Sequence, residues 1–306
     1  MGSAWTVKLV GPLPVPAEVL RAGAQARFDA VNLALSTYRD DSALSRFNAD
    51  DSGEWVDIDA ELGEVLACAL SLADASGGAY DVTVGPLVNL WGFGPDPATN
   101  QVPAAAAIEA ARAHVGWQGV VVDLANHRAR KRSGMRVDLS SLGKGRGVDR
   151  VAEYLDGQGV TNYLIDLSGK LRARGRNLRG APWQVAVERP AADVSSSVPA
   201  IEPAIVSLQD ESVATAGDYR RFFENGGRRY SHIIDPRTGF PVTHDTVSAT
   251  AVAADCMQAD ALATVLMVMP PAEALALADR MGVRALLIGR AGTKYQVKRS
   301  ASWRGN

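Results

Sequence analysis

An α+β fold is what this sequence predicts, and three observations point to it. Apolar residues recur at helical spacing in several long stretches. Short strand-like runs sit between them without strict strand–helix–strand alternation, which argues against a doubly wound parallel sheet. The composition is that of an ordinary globular chain, with 47% hydrophobic and 22% charged residues among 306. At roughly 150 residues per domain, that length allows about two domains or one large two-lobed one.

The elements follow in order. Trp5 to Val10 alternates as a strand, and Pro12, Pro14 and Pro16 end it. Leu20, Ala24, Phe28, Val31 and Leu35 then form one apolar stripe of a helix. Asp59 is a candidate N-cap for a second helix carrying Leu62, Val65, Leu66, Ala69 and Leu72, and Gly77-Gly78 stops it. The alanine-rich run 104–115 reads as a third helix. Strand-like pieces at 119–124, 129–132 and 136–139 follow, with Asn126-His127 suited to the first turn. The glycines of 143–147 read as a loop leading into a helix over 148–155. Further strands are expected at 163–167, 183–187, 212–216, 229–234, 247–253, 284–288 and 295–299, with helices at 259–269 and 272–281. Residues 190–203, rich in Ala, Ser and Pro, read as a flexible surface loop.

Composition also excludes. Acidic residues number 34 and basic 32, a formal charge of −2, so a general nucleic-acid binder is not indicated. Two cysteines, Cys68 and Cys256, are too few for a disulfide scaffold and read as buried thiols. No window approaches the roughly 18 consecutive apolar residues a membrane span needs. The first seven residues show no basic start, apolar core or cleavage site. That leaves two locations open: the protein acts in the cytoplasm, or a removed leader once directed it to the periplasm or a membrane anchor. HExxH, paired CxxC and GxSxG are all absent, which removes the common zinc and serine hydrolase readings.

Several segments are polar where a plain core would be apolar. Gly143-Lys144-Gly145-Arg146-Gly147 brings small residues and two cations together. It reads first as a tight strand–helix turn, with a phosphate contact as the functional alternative. Asp260 and Thr264 are four apart, so a helix places both oxygens on one face. The pair suits a hard cation such as Mg²⁺, or a cap and a hydroxyl bonded back to a carbonyl. His232 stands in a strand-like run before the turn Asp235-Pro236-Arg237-Thr238-Gly239, as a structural or a reactive residue.

Taken in order, STYRDDSALSRFN, GGAYDVTVGPLVNLWGFG, DLSSLGKGRGVDRVAEYL, VATAGDYRRFF, YSHIIDPRTGFPV and QADALATVLMVM resemble the ApbE-type FAD:protein FMN transferases over nearly the whole chain. The resemblance implies one catalytic unit over residues 1–306, a two-lobed α+β fold of mixed or antiparallel sheets with flanking helices, and an FAD cleft between the lobes. It implies Mg²⁺-dependent transfer of FMN from FAD to a threonine hydroxyl of an acceptor protein, with AMP released. Hydrolysis of FAD to FMN and AMP is the alternative, and binding of flavin without turnover a third reading. By position, Met1, Tyr38, Ala79, Tyr80, Asp81, Ser140 and Arg146 are expected to contact FAD. The Gly143 carbonyl, Asp260 and Thr264 are expected to hold Mg²⁺. His232 is the expected base, oriented by Asp218 or Asp235, and Lys144 adds positive charge as AMP departs. Three departures from the family pattern stand out: Ser140-Ser141 for a Gly-Gly pair, Arg146 for a tyrosine, and Lys170 for an Asp or Asn.

Overall fold

The computed structural model describes residues 3–94, 100–187, 204–218, 221–292 and 294–303. The loop expected at 190–203 lies outside these residues, as does Met1.

The chain opens with β1 (Trp5–Leu9), α1 (Ala17–Leu35), α2 (Ala43–Ala49), β2 (Val56–Asp57) and α3 (Ala60–Ala75). The side chain of Asp59 caps α3 by accepting the Leu62 N–H at 2.7 Å, as its position predicts. Next come α4 (Gly85–Leu90), α5 (Ala105–Arg112), β3 (Val120–Asp123), β4 (Arg128–Lys131) and the long α6 (Ser140–Gly157). A run of strands follows: β5 (Tyr163–Leu167), β6 (Lys170–Arg174), β7 (Trp183–Ala186), β8 (Ile205–Leu208) and β9 (Ser212–Gly217). Short pieces β10 (Phe222–Asn225), β11 (Arg228–Ser231), β12 (Ile234–Asp235) and β13 (Phe240–Pro241) lead to β14 (Thr246–Ala253). The chain closes with α7 (Cys256–Val268), α8 (Pro271–Arg280), β15 (Arg284–Ala291) and β16 (Lys294–Arg299).

Seven strands form the main sheet in the order β1-β5-β6-β9-β14-β15-β16. Every described strand pair is antiparallel, so the sheets are antiparallel rather than mixed. The sheet is buried at its centre: all eight residues of β14 are buried, as is nearly all of α7 against it. This explains why α7 is apolar all round instead of striped, the pattern of a helix packed on several sides.

Four expectations need correction. The glycines at 143–147 are inside α6, not in a loop before it. Each interior glycine costs about 1 kcal/mol of helix propensity, and close packing explains at least one of them. A Cβ on Gly145 would stand 2.3 Å from the Cys256 carbonyl oxygen, so only glycine lets α6 approach α7 this closely. Residues 136–139 are not a strand; their backbone is used by Asn48, whose side chain bonds both N–H and C=O of Val137 at 2.8 Å. The strand expected over 229–234 breaks between β11 and β12, and His232 sits at the break. Two helices, α2 and α4, were not foreseen because both are short and carry little periodicity.

Candidate functional site

Three elements converge beside the central strands. The first is the N-terminal turn of α6, which supplies Ser140, Ser141 and Lys144. The second is the segment after α3, with Ala79, Tyr80 and Asp81. The third is the break between β11 and β12, which supplies His232 and Ile233. With Ser168, Lys170, Thr215 and Thr264 they line a hollow of about 430 Å³. A second hollow of about 660 Å³, walled by Gly77, Gly78, Trp117 and Arg112, shares Asp81 and Pro236 with it.

The α6 end is built to receive an anion. Ser140 donates its N–H to Asp138 Oδ1 at 2.8 Å, and Leu139 gives no side-chain cap. The first N–H of the helix is thus already taken by a carboxylate, and what this end offers an anion is the partial positive charge of the helix dipole. Lys144, one turn on, has no hydrogen-bond or ion-pair partner among the described residues. The Tyr80 hydroxyl bonds Ser141 Oγ at 2.7 Å and holds that corner in place. The Asp81 carboxylate accepts from Thr83 N and Oγ1 at 2.8 and 2.6 Å, and from Trp117 N at 2.9 Å. It is a clamp that fixes the wall shared by both hollows.

His232 is half-buried, and its orientation comes from backbone. Nδ1 lies 3.0 Å from the Arg221 carbonyl oxygen, and its own N–H reaches the same oxygen at 3.2 Å. A carbonyl oxygen only accepts, so Nδ1 carries the proton and Nε2 keeps its lone pair. Burial pulls the imidazole below its ordinary value of 6.5, which favours the neutral form that can take a proton. Neither expected orienting carboxylate reaches it: Asp218 pairs with Arg229 at 2.6 Å and Asp235 with Arg237 at 2.8 Å. A backbone carbonyl leaves no signal in side-chain spacing, so the sequence did not reveal Arg221.

Asp260 is 3% exposed and does not itself line the hollow, whereas Lys170, which pairs with it, does. Its Oδ2 accepts the Gly145 N–H at 3.0 Å, and its Oδ1 lies 2.8 Å from Lys170 Nζ. Thr264 Oγ1 leans back to the Asp260 carbonyl at 3.4 Å while facing the hollow. Carboxylate, hydroxyl and nearby carbonyl oxygens fit a hard divalent cation by chemistry. Among the described residues no three His, Cys, Asp or Glu side chains gather as a metal cage. A cation here therefore draws further ligands from backbone, water or substrate phosphate.

The remaining expected residues stand apart. Arg146 does not reach the hollow: it ion-pairs with Glu61 and Glu64 on α3, in a network that includes Arg150. The reason is helical phase, since residues 144 and 146 within α6 point about 200° apart. Tyr38, 90% exposed on the link between α1 and α2, does not line the hollow. Gly143 lies in the first turn of α6, close to Leu35. Cys68 and Cys256 are free thiols, and burial pushes Cys68 up to about 11, as expected for unreactive sulfurs.

Residues 1–287 match the model of the ApbE family. The chain belongs to the ApbE family. A curated FAD:protein FMN transferase of Vibrio cholerae is 39% identical over 305 residues, covering 99% of this chain and 90% of the relative. The flavinyl transferase ApbE of Pseudomonas stutzeri superposes with a TM-score of 0.89 at 38% identity, covering 99% of this chain and 93% of that one. The flavin transferase ApbE from Vibrio cholerae gives a TM-score of 0.88 at 37% identity, with 99% and 95% covered. These ApbE structures share the α+β architecture, and the residues gathered at the α6 start belong to a fold held in common across almost the full chain.

Proposed function

We propose that this ApbE-family chain is an FAD:protein FMN transferase acting on a threonine of an acceptor protein. The supporting observation is the convergence of His232, Lys144, Thr264 and the start of α6 on one hollow, with the buried Asp260 one helical turn before Thr264. FAD is long enough to use both hollows, and Ala79, Tyr80, Asp81 and Ser140 line the one where its phosphates would lie. Tyr38, outside both hollows, offers an exposed ring face on which a flat heterocycle could stack.

In the reaction, the acceptor hydroxyl oxygen attacks the phosphorus on the FMN side of the pyrophosphate. A P–O bond to the acceptor forms, the pyrophosphate P–O bond breaks, and AMP leaves with the bridging oxygen. His232 Nε2 takes the hydroxyl proton, with Nδ1–H held by Arg221 so the ring cannot turn away. Lys144 and the N–H groups of α6 stabilise the charge that builds on the phosphate oxygens. Asp260, Thr264 and the Gly143 carbonyl would hold Mg²⁺, which when bound supplies Lewis-acid charge to the phosphates.

The test is chromatography and mass analysis of FAD incubated with the protein and Mg²⁺, with and without a threonine-bearing acceptor domain. Acceptor carrying FMN, with free AMP, is the expected product. Free FMN and AMP in both tubes would instead identify a pyrophosphatase.

A further inference from the structure

Lys170 holds the place at Asp260 that a cation would take, and this bears directly on how a metal can bind. The lysine comes from the tight turn between β5 and β6. Ser168 and Gly169 both have positive φ, 51° and 84°, and Asp166 Oδ1 accepts the Gly169 N–H at 2.9 Å. That two-residue turn starts β6 at Lys170, paired between Leu167 and Ala214. The side chain is 12% exposed and its ammonium has two oxygen partners: Asp260 Oδ1 at 2.8 Å and the Thr215 carbonyl at 3.0 Å.

The electrostatics are simple. With Gly145 N–H on Oδ2 and the ammonium on Oδ1, each Asp260 oxygen already has a partner and the pair is neutral. A dication entering that position meets no net attraction and a positive charge at contact distance. It binds only if Lys170 leaves Oδ1, and the ammonium then needs another anion. Lys170 lines the same hollow as Lys144 and the α6 start, where a bound substrate phosphate would supply that anion.

We propose that Lys170 is a built-in competitor for the divalent cation at Asp260, so that metal binds only together with a nucleotide whose phosphates draw the ammonium away. This rests on reading Asp260 and Thr264 as the cation site. Metal affinity and nucleotide affinity are thereby coupled, each raising the other.

The experiment is Mn²⁺ titration of the purified protein, followed by the electron-paramagnetic signal of free Mn²⁺, without nucleotide and with ADP, a pyrophosphate nucleotide that carries no flavin. Lys170→Met and Lys170→Gln are run in parallel, with Mn²⁺-dependent thermal shifts as a second readout. Expected for the wild type is Mn²⁺ binding at least about tenfold tighter with ADP than without. Expected for both variants is nucleotide-free binding at least about tenfold tighter than wild type, with Mn²⁺ raising their melting temperature. Adding Asp260→Asn to either variant should abolish that gain. Equal nucleotide-free affinity in wild type and variants would overturn the proposal while leaving the cation site intact. No Mn²⁺ binding in any protein, with or without ADP, would overturn the site reading and the proposal with it. Lys170→Gln keeps an N–H for Asp260 without the charge, so a folding defect in Lys170→Met does not remove the test.

Discussion

The backbone N–H of Gly145 donates to Oδ2 of Asp260 across 3.0 Å, joining α6 to α7 beneath the hollow. The same two helices meet again where Asp149 accepts the N–H groups of Cys256 and Met257 at 2.9 and 2.8 Å. A Gly145→Ala side chain would meet backbone of Cys256 and Met257 within 2.7 Å, and backbone cannot swing aside. The expected loss is about 3 kcal/mol of stability, read as a lower urea midpoint, together with a displaced Asp260.

His232→Gln should lower the transfer rate by about 10²- to 10⁴-fold while leaving FAD affinity nearly unchanged, as stopped-flow binding and product analysis would show. The pH dependence has a definite sign. Burial holds the folded imidazole below 6.5, so between the folded and unfolded values the unfolded chain binds more protons. This part of the stability is complete above pH 6.5 and is lost as pH falls toward the folded value. The fall in melting temperature as pH drops below 6.5 should be smaller in His232→Gln than in the wild type.

Lys144 and Arg146 should separate cleanly. Lys144 has no partner to lose among the described residues, so Lys144→Met should change stability by less than about 0.5 kcal/mol. It should weaken binding of FAD and of AMP by about tenfold or more, measurable by calorimetry. Arg146→Met breaks its pairs with Glu61 and Glu64. It should cost about 1–3 kcal/mol in stability and leave FAD affinity within about twofold.

This contrast shows what the sequence made legible. Lys144, His232 and Thr264, singled out from their motifs, fall on one hollow, and Asp59 marked the start of α3, because those signals are local. The resemblance put Arg146 at an FAD contact, but its pairing with Glu61 and Glu64, more than eighty positions away, leaves no trace in local spacing, nor does the approach of Cys256 that requires Gly145. Lys170 was visible as an odd residue, but its partner Asp260 is ninety positions on, joined to it only by the stacking of α7 on β6 and β9. Side-chain type survives in sequence; long-range pairing and backbone partners such as the Arg221 carbonyl do not.

Gly169 offers a local check on the turn that delivers Lys170. Its φ of 84° suits glycine, so Gly169→Ala should cost about 1 kcal/mol. Loosening the turn should also free the Lys170–Asp260 pair, giving a small gain in nucleotide-free Mn²⁺ binding.

The central claim is transfer of FMN to a protein hydroxyl at the hollow lined by Lys144, His232 and Thr264. Mass analysis of a threonine-bearing acceptor after incubation with FAD, Mg²⁺ and the wild-type chain tests it most directly, with His232→Gln as the companion. The account predicts an FMN phosphoester on the acceptor and stoichiometric AMP with wild type, and both formed at least about a hundredfold more slowly with His232→Gln. Unmodified acceptor and intact FAD with wild type, or equal modification by both proteins, would contradict it.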